Sequence, residues 1–263
     1  MRTLQTAALA LSAALAVPAL AGPPSKDVAK TLPLAAGEHV RVDTYKGSVR
    51  VTTWDRAEVA VEARVVADEG CGSAERQARW VDQTKVDIDR TPHGVAVTSD
   101  YDALDATHFW SGSCTSRPFV HYVIRMPKGA ALKITDYKSD LDVRDLEADL
   151  SIETYKGNVA VAGLAGGLKV ETYKGDVKAG IVRLAGDVRG QTYKGSIALT
   201  LPAAAAFELT ADAGRKGSVE SEFHAEGTTT ARRGAVRVSG AVNGGGRRVS
   251  LRTDKGSLAV RKG

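Results

Sequence analysis

One short string limits what this chain can fold into more than its length or composition does. Thr44-Tyr45-Lys46-Gly47-Ser48-Val49 returns as Asp136-Tyr137-Lys138-Ser139-Asp140-Leu141 and as Thr154-Tyr155-Lys156-Gly157-Asn158-Val159. It comes back again as Thr172-Tyr173-Lys174-Gly175-Asp176-Val177 and Thr192-Tyr193-Lys194-Gly195-Ser196-Ile197. Three altered copies follow: Gly214-Arg215-Lys216-Gly217-Ser218-Val219, Ala231-Arg232-Arg233-Gly234-Ala235-Val236 and Thr253-Asp254-Lys255-Gly256-Ser257-Leu258. From residue 136 onward the copies start 18, 18, 20, 22, 17 and 22 residues apart. Self-similarity at a near-constant period of this size is the mark of a repeat architecture.

Each copy has the same grammar. Glycine follows lysine where the backbone must turn sharply, because glycine adopts positive φ without steric cost. An alternating apolar pair then enters a strand: Val159 and Val161, Val177 and Ala179, Ile197 and Leu199. A second small-residue turn, Gly163 to Gly167 in one copy, leads to another alternating strand with Leu168 and Val170. No stretch between 136 and 263 carries a helical period. A unit of this size cannot bury its apolar side chains alone, but stacked copies bury a continuous strip. The chain therefore reads as all-β, a β-solenoid whose coils lie about 4.8 Å apart, each above the last. An antiparallel β-sandwich or prism is the alternative, since turns every nine or so residues suit either; near-constant spacing of identical turns favours the solenoid.

The pattern lapses between about residues 52 and 127. Ser73 to Asp82 reads as a short helix with Ser73 as N-cap. Lys85–Asp89, Gly94–Ser99 and Phe119–Met126 read as strands, and 100–117, with Phe109 and Trp110, as a loop. This segment is expected to form a small side lobe on a single β-repeat domain spanning 22–263.

Residues 1–21 read as a secretory signal peptide: Arg2, an Ala/Leu-rich run and the small-residue Ala19-Leu20-Ala21 site. The run is too short, and too interrupted by Pro18, to span a bilayer, for which about 20 apolar residues are needed. No second candidate for a transmembrane segment follows. The chain is thus expected to be exported, periplasmic or secreted. In such a compartment Cys71 and Cys114, the only cysteines, are expected to pair. Closing that loop of about 44 residues would contribute roughly 3–4 kcal/mol in the chain-entropy model. With 36 Lys and Arg against 31 Asp and Glu, the chain is mildly basic. Without a recognisable binding motif, nucleic acid is not an expected partner.

The run Val123-Ile124-Arg125-Met126-Pro127-Lys128-Gly129-Ala130, followed by turn-Gly-x-Val-x-Val units, resembles a bacterial adhesin-like domain family of unknown function. Val49-Arg50-Val51-Thr52-Thr53-Trp54-Asp55 with Glu58-Val59-Ala60-Val61 is similar to the N-terminal part of that family. The resemblance covers about residues 34–260. It implies an extracytoplasmic β-helical fold with no established catalysis. This chain departs from the family in placing Tyr-Lys before the glycine, where Ser-Gly-Asp-like turns are common.

Glycine is required by the turn and the valine pair by the core, which leaves tyrosine and lysine to be explained. In-register coils would align Tyr45, Tyr137, Tyr155, Tyr173 and Tyr193 in one column. Lys46, Lys138, Lys156, Lys174 and Lys194 would align in another, continued by Lys216, Arg233 and Lys255. Like charges on neighbouring strands repel, so the lysines need compensation or use. Compensation would come from Glu153, Glu171, Asp140, Asp176 or tyrosine faces. Use would be a stripe that binds an anionic polymer such as lipopolysaccharide, peptidoglycan or an acidic polysaccharide. A purely structural, self-associating solenoid is the second class of function.

A polysaccharide-active enzyme is the third. His39, His93, His108, His121 and His224 are scattered, and no nucleophile elbow, His-Glu-x-x-His or phosphate loop is present. Asp136, Asp140, Asp142, Asp145 and Asp149 cluster, but alternating acids on a solvated strand face explain them more simply than calcium. No cofactor is expected.

Overall fold

The computed structural model describes residues 22–70, 72–104 and 116–263. The expected signal peptide and both cysteines of the expected disulfide lie outside these residues, as do Phe109 and Trp110. Four strands come first: β1 (Ser25–Pro33), β2 (His39–Asp43), β3 (Lys46–Trp54) and β4 (Glu58–Val66). Helix α1 (Ala74–Gln83) follows, with the Ser73 hydroxyl accepting from the Arg76 N–H as the sequence leads one to expect. Next are β5 (Lys85–Thr91), β6 (Gly94–Asp100) and β7 (Phe119–Pro127). The repeats supply β8 (Ala131–Arg144), β9 (Leu150–Lys156), β10 (Val159–Leu164), β11 (Leu168–Lys174), β12 (Val177–Ile181), β13 (Val188–Lys194) and β14 (Ile197–Leu201). The remainder is β15 (Phe207–Ala213), β16 (Ser218–Ser221), β17 (Glu226–Arg232), β18 (Ala235–Val242), β19 (Arg247–Lys255) and β20 (Ser257–Lys262).

These strands build a β-solenoid of two sheets, parallel through the stacked coils and antiparallel at their ends, joined through β8, which runs unbroken through both. One sheet follows the order β5, β6, β2, β8, β9, β11, β13, β19, β15, β18, β17. The other follows β1, β4, β7, β3, β8, β10, β12, β14, β20, β16. Register is kept residue for residue, so inward side chains form columns. Val40, Leu132, Leu150, Leu168, Val188 and Val249 make one, and Val49, Leu141, Val159, Val177, Ile197 and Leu258 another. All twelve are buried in one continuous core. At about 25 cal/mol per Å² of apolar area removed from water, such columns are the main stabilising term.

The turn glycines explain the register. Gly157, Gly175, Gly195 and Gly256 have φ of +126°, +146°, +151° and +154°. A Cβ on any of them would also lie 1.9–2.1 Å from a carbonyl oxygen of the coil below. Only glycine satisfies both the torsion and the approach. Ser139, the one variant in the five strong copies, is instructive: its coil does not break there, and β8 passes straight through as 14 residues.

Coils do not stack in chain order, contrary to the simple reading that each lies above the last. β19 and β20 come last in sequence but insert between the β13–β14 and β15–β16 coils. The reason lies in the turns. Residues 214–217 stand against 254–256, one residue more, because Ala213 faces Thr253 and Ser218 faces Ser257. Lys255-Gly256 nests on Gly195, and the longer copy is left outermost. The same interleaving occurs at the other end, where β6 and β7 stack outside β2 and β3. Part of segment 52–127 therefore continues the stack, while α1 packs beside it on β1. Arg233 is also reassigned. It occupies the tip of the antiparallel β17–β18 hairpin at φ +50° and belongs to no coil.

Gly175→Ala forces both a clash and a disfavoured torsion. It is expected to destabilise the fold by roughly 2–4 kcal/mol, read as a lowered urea midpoint.

Candidate functional site

The register that aligns the core also aligns the turns at one long edge. Tyr45, Tyr137, Tyr155, Tyr173 and Tyr193 stack face to face, with successive centroids 4.8, 5.0, 4.8 and 4.9 Å apart and planes within 10°. Tyr45 joins the row despite the 92 residues separating it from Tyr137, because β2 and β3 lie directly on β8. Each aromatic pair contributes about 0.5–1.5 kcal/mol beyond its buried area. Both ends of the row are closed by cations. The Arg117 guanidinium lies 4.4 Å from the Tyr45 centroid, and Lys255 Nζ lies 5.2 Å from that of Tyr193. Tyr101 meets Tyr45 edge-on at 5.9 Å.

This geometry limits what the row can offer a ligand. The ring faces are occupied by one another, so the edge offers a ligand hydroxyls and ring rims, not open faces for sugar stacking. Tyr137, Tyr155, Tyr173 and Tyr193 remain 37–39% exposed, enough for those rims and hydroxyls to reach solvent.

The lysines align as the sequence leads one to expect: Lys46, Lys138, Lys156, Lys174, Lys194 and Lys255 are consecutive register partners. Their side chains diverge. Lys46 is buried, ion-paired with Asp68 at 2.6 Å, bonded to Ser116 at 2.7 Å and over the Phe119 ring. The hydrogen bonds from Lys46 and Ser116 hold the Asp68 carboxyl below its usual range. Lys46 is thus an internal anchor between coil and α1-side loop. Lys138, Lys174, Lys194 and Lys255 are exposed and Lys156 is half-exposed. Lys156 and Lys174 sit 5.2 and 5.6 Å from the centroids of their own tyrosines.

Among the described residues, none of Lys138, Lys156, Lys174 and Lys194 has an acidic partner. The carboxylates expected to neutralise them are engaged elsewhere. Glu153 pairs with Lys169 and Lys133, and Glu171 with Lys169 and Arg189, across the outer face of the sheet. Lys169 and Lys133 keep Glu153 below its usual carboxylate range. Asp140 accepts the Asn158 N–H at 3.0 Å, Asn158 accepts that of Asp176 at 3.2 Å, and Asp176 accepts that of Ser196 at 2.8 Å. This inter-coil ladder escaped the sequence reading. Its signal was the residue after the turn glycine, which in every strong copy is Ser, Asp or Asn, a short acceptor suited to reach backbone.

Three more of the clustered acids, Asp136, Asp142 and Asp149, also have structural partners. Asp142 pairs with Arg144 and Asp149 accepts the Gly167 N–H. Asp136 takes the place of threonine inside the turn and accepts from the Ser139 N–H, the Ser139 hydroxyl and the Thr154 hydroxyl. Among the described residues, no three His, Asp or Glu converge as metal ligands. Beside the tyrosines runs an open groove of about 490 Å³, bounded by Glu153 and Glu171 on one side and Tyr155, Tyr173 and Tyr193 on the other. The tyrosine row therefore divides an acidic strip with paired charges from a basic strip without them.

The profile of Toastrack DUF4097 matches residues 38–261. The chain belongs to the Toastrack DUF4097 family. No curated protein matches it. Among solved structures, it is similar to a candidate cell adhesion protein from Clostridium sporogenes, at 10% identity and TM-score 0.49, covering 91% of this chain and 100% of that one. It is also similar to a candidate adhesin from Bacteroides fragilis, at 14% identity and TM-score 0.39, covering 90% and 97%. Within this Toastrack DUF4097 chain the bare lysine row remains the feature that the fold does not demand.

Burial raises the Asp136 carboxyl above its usual range despite its three donors. A carboxyl that holds its proton more tightly folded than unfolded costs stability once ionised. Stability is thus expected to fall as pH climbs from the unfolded pKa through the raised folded one, then level off. Asp136→Asn keeps an acceptor without the charge, so urea midpoints measured from acid to neutral pH should lose that component and lie above wild type at neutral pH.

Proposed function

We infer that this protein is an exported, non-enzymatic binding module whose Tyr/Lys edge engages an anionic envelope polymer. One observation carries the reading. Lys138, Lys156, Lys174 and Lys194 stand in register at one coil spacing with no acidic partner, while every nearby carboxylate is committed to another cation or to backbone. In water two ammonium groups at that spacing repel by somewhat under 1 kcal/mol. A polyanion laid along the edge would reverse the sign of that contribution at every coil.

The tyrosines suit the same role. Their mutual stacking holds the row rigidly, so the hydroxyls are presented in fixed order with little side-chain entropy left to lose, beside ammonium groups borne at one coil spacing. A polymer with regularly spaced phosphate or carboxylate groups meets several such units at once, and linked contacts multiply. Lipopolysaccharide, peptidoglycan and acidic polysaccharides all have this character. The leader-like first 21 residues support delivery to the compartment that contains them.

Binding to purified lipopolysaccharide and peptidoglycan should weaken steeply between low and high salt. At about 1 kcal/mol per lysine near an anionic surface, replacing Lys138, Lys156, Lys174 and Lys194 together by Gln should weaken it by on the order of a thousandfold and flatten the salt dependence. The thermal melt should be unchanged or higher. Unaltered affinity in that variant would refute the reading. Tyr173→Phe keeps the stack and removes one hydroxyl, so it should leave stability intact and reduce binding modestly, whereas Tyr173→Ala should cost about 1–3 kcal/mol of stability by breaking two stacked pairs.

A further inference from the structure

The two ends of the stack are finished in different ways. At the β1 and β5 end, α1 packs beside the sheets with Trp80 and Val81 buried. β1 itself carries Lys26, Asp27 and Lys30 and ends in Pro33. Lys26 donates to the Asp82 carbonyl, and Lys30 to that of Ile88, so these side chains tie the edge to its neighbours. Charge, proline and cover are the usual means by which a sheet edge refuses a further strand.

The other end has neither proline nor cover, and its charges stand only at the two ends of the strand. There the first sheet finishes in β17, Glu226-Gly227-Thr228-Thr229-Thr230-Ala231-Arg232, exposed at every position. β17 pairs with β18 alone among the described strands, in unbroken register from Glu226 opposite Ala241 to Arg232 opposite Ala235. Its outer backbone groups face no strand. It contains no proline, no lysine and no bulge, and its interior is threonine-rich, a residue type suited to strands. Behind it Val219, Val236 and Val238 are only half-buried.

The charges on β17 select its partner. Glu226 and Arg232 are six residues apart and so lie on one face, with Thr229 midway. A second β17 laid antiparallel about Thr229 places Glu226 opposite Arg232 at both ends and Thr228 opposite Thr230. A parallel in-register neighbour would instead set Glu226 against Glu226 and Arg232 against Arg232, which is unfavourable.

We propose that β17 pairs antiparallel with β17 of a second copy of this chain, with the two-fold axis at Thr229, to form a continuous sheet across a homodimer. Main-chain hydrogen bonds supply the affinity, and the paired end charges set the register. The contact is the same patch on both copies, so it closes at two. It leaves the tyrosine edge free and stands independently of the polymer-binding reading.

Sedimentation velocity of the full chain across a concentration series tests this. The wild type should pass from monomer to dimer and no further. Thr229→Lys brings two ammonium groups together at the axis and should leave the chain monomeric. Glu226→Arg and Arg232→Glu should each weaken the dimer at least about tenfold, and the double exchange E226R/R232E should restore it. Because β17 is exposed, circular dichroism melts taken at concentrations where the wild type is monomeric should coincide for variants and wild type. A wild type that stays monomeric, a dimer indifferent to T229K, growth beyond two copies, or a double exchange weaker than either single one would each overturn the proposal. Polymer binding by the monomeric T229K variant reports on the tyrosine edge separately.

Discussion

Everything in this fold follows from how closely one turn can sit on the next. Where the chain turns, a coil can lie in register on its neighbour only if the backbone approaches the carbonyl below it more closely than any side chain allows; at Ser139, β8 runs through without a turn. Gly157, Gly175, Gly195 and Gly256 meet that requirement, each where a Cβ would lie about 2 Å from the oxygen beneath. Once the turns nest, strand register has no freedom left, and every position in the repeat becomes a column. The inward columns form the core, and the outward ones form whatever the residue type dictates.

That single constraint produces chemically different ladders side by side. The position before lysine becomes a stack of aromatic rings, and the position after glycine becomes a chain of short acceptors that bind the next coil's backbone. Two residues before tyrosine, Glu153 and Glu171 form ion pairs with Lys133, Lys169 and Arg189. Three of these ladders are self-satisfying: rings meet rings, acceptors meet N–H groups, and acids meet bases. The lysine ladder alone is self-opposed. A fold that multiplies one residue by the number of coils multiplies its electrostatic cost as well, and this is the ground on which an external partner is proposed for the lysines and not for the tyrosines.

Much of the architecture was legible because the repeat is written in residues whose physical roles differ sharply. Glycine marked the turns, alternating valines marked the inward faces, and Ser73 marked the start of α1. Constant spacing was enough to choose stacked coils over hairpins. What was hidden depends on comparing turns with one another. The interleaving of the last coil follows from one extra residue between Gly214 and Gly217, a difference that is invisible until the two turns are laid side by side. Arg232-Arg233-Gly234 looks like a worn copy of the motif, yet the same dipeptide chemistry serves a hairpin tip just as well. The tyrosine and lysine columns could be predicted from register, but the diversion of Lys46 could not, because Asp68 and Ser116 reach it from a segment outside the repeat.

The position of the last coil has a consequence for how the molecule is assembled. β19 and β20 lie between two coils made earlier in the chain, so the structure has a keystone, and the keystone comes later in sequence than both coils it joins. A chain emerging N-terminus first, from a ribosome or through a membrane, can nest its early coils as they arrive. It cannot seat the β15–β16 coil until residues 247–262 are present to carry it. Closure of this end of the stack therefore waits on residues 247–262, and a product truncated before Arg247 would present an open gap between coils in place of a shorter stack.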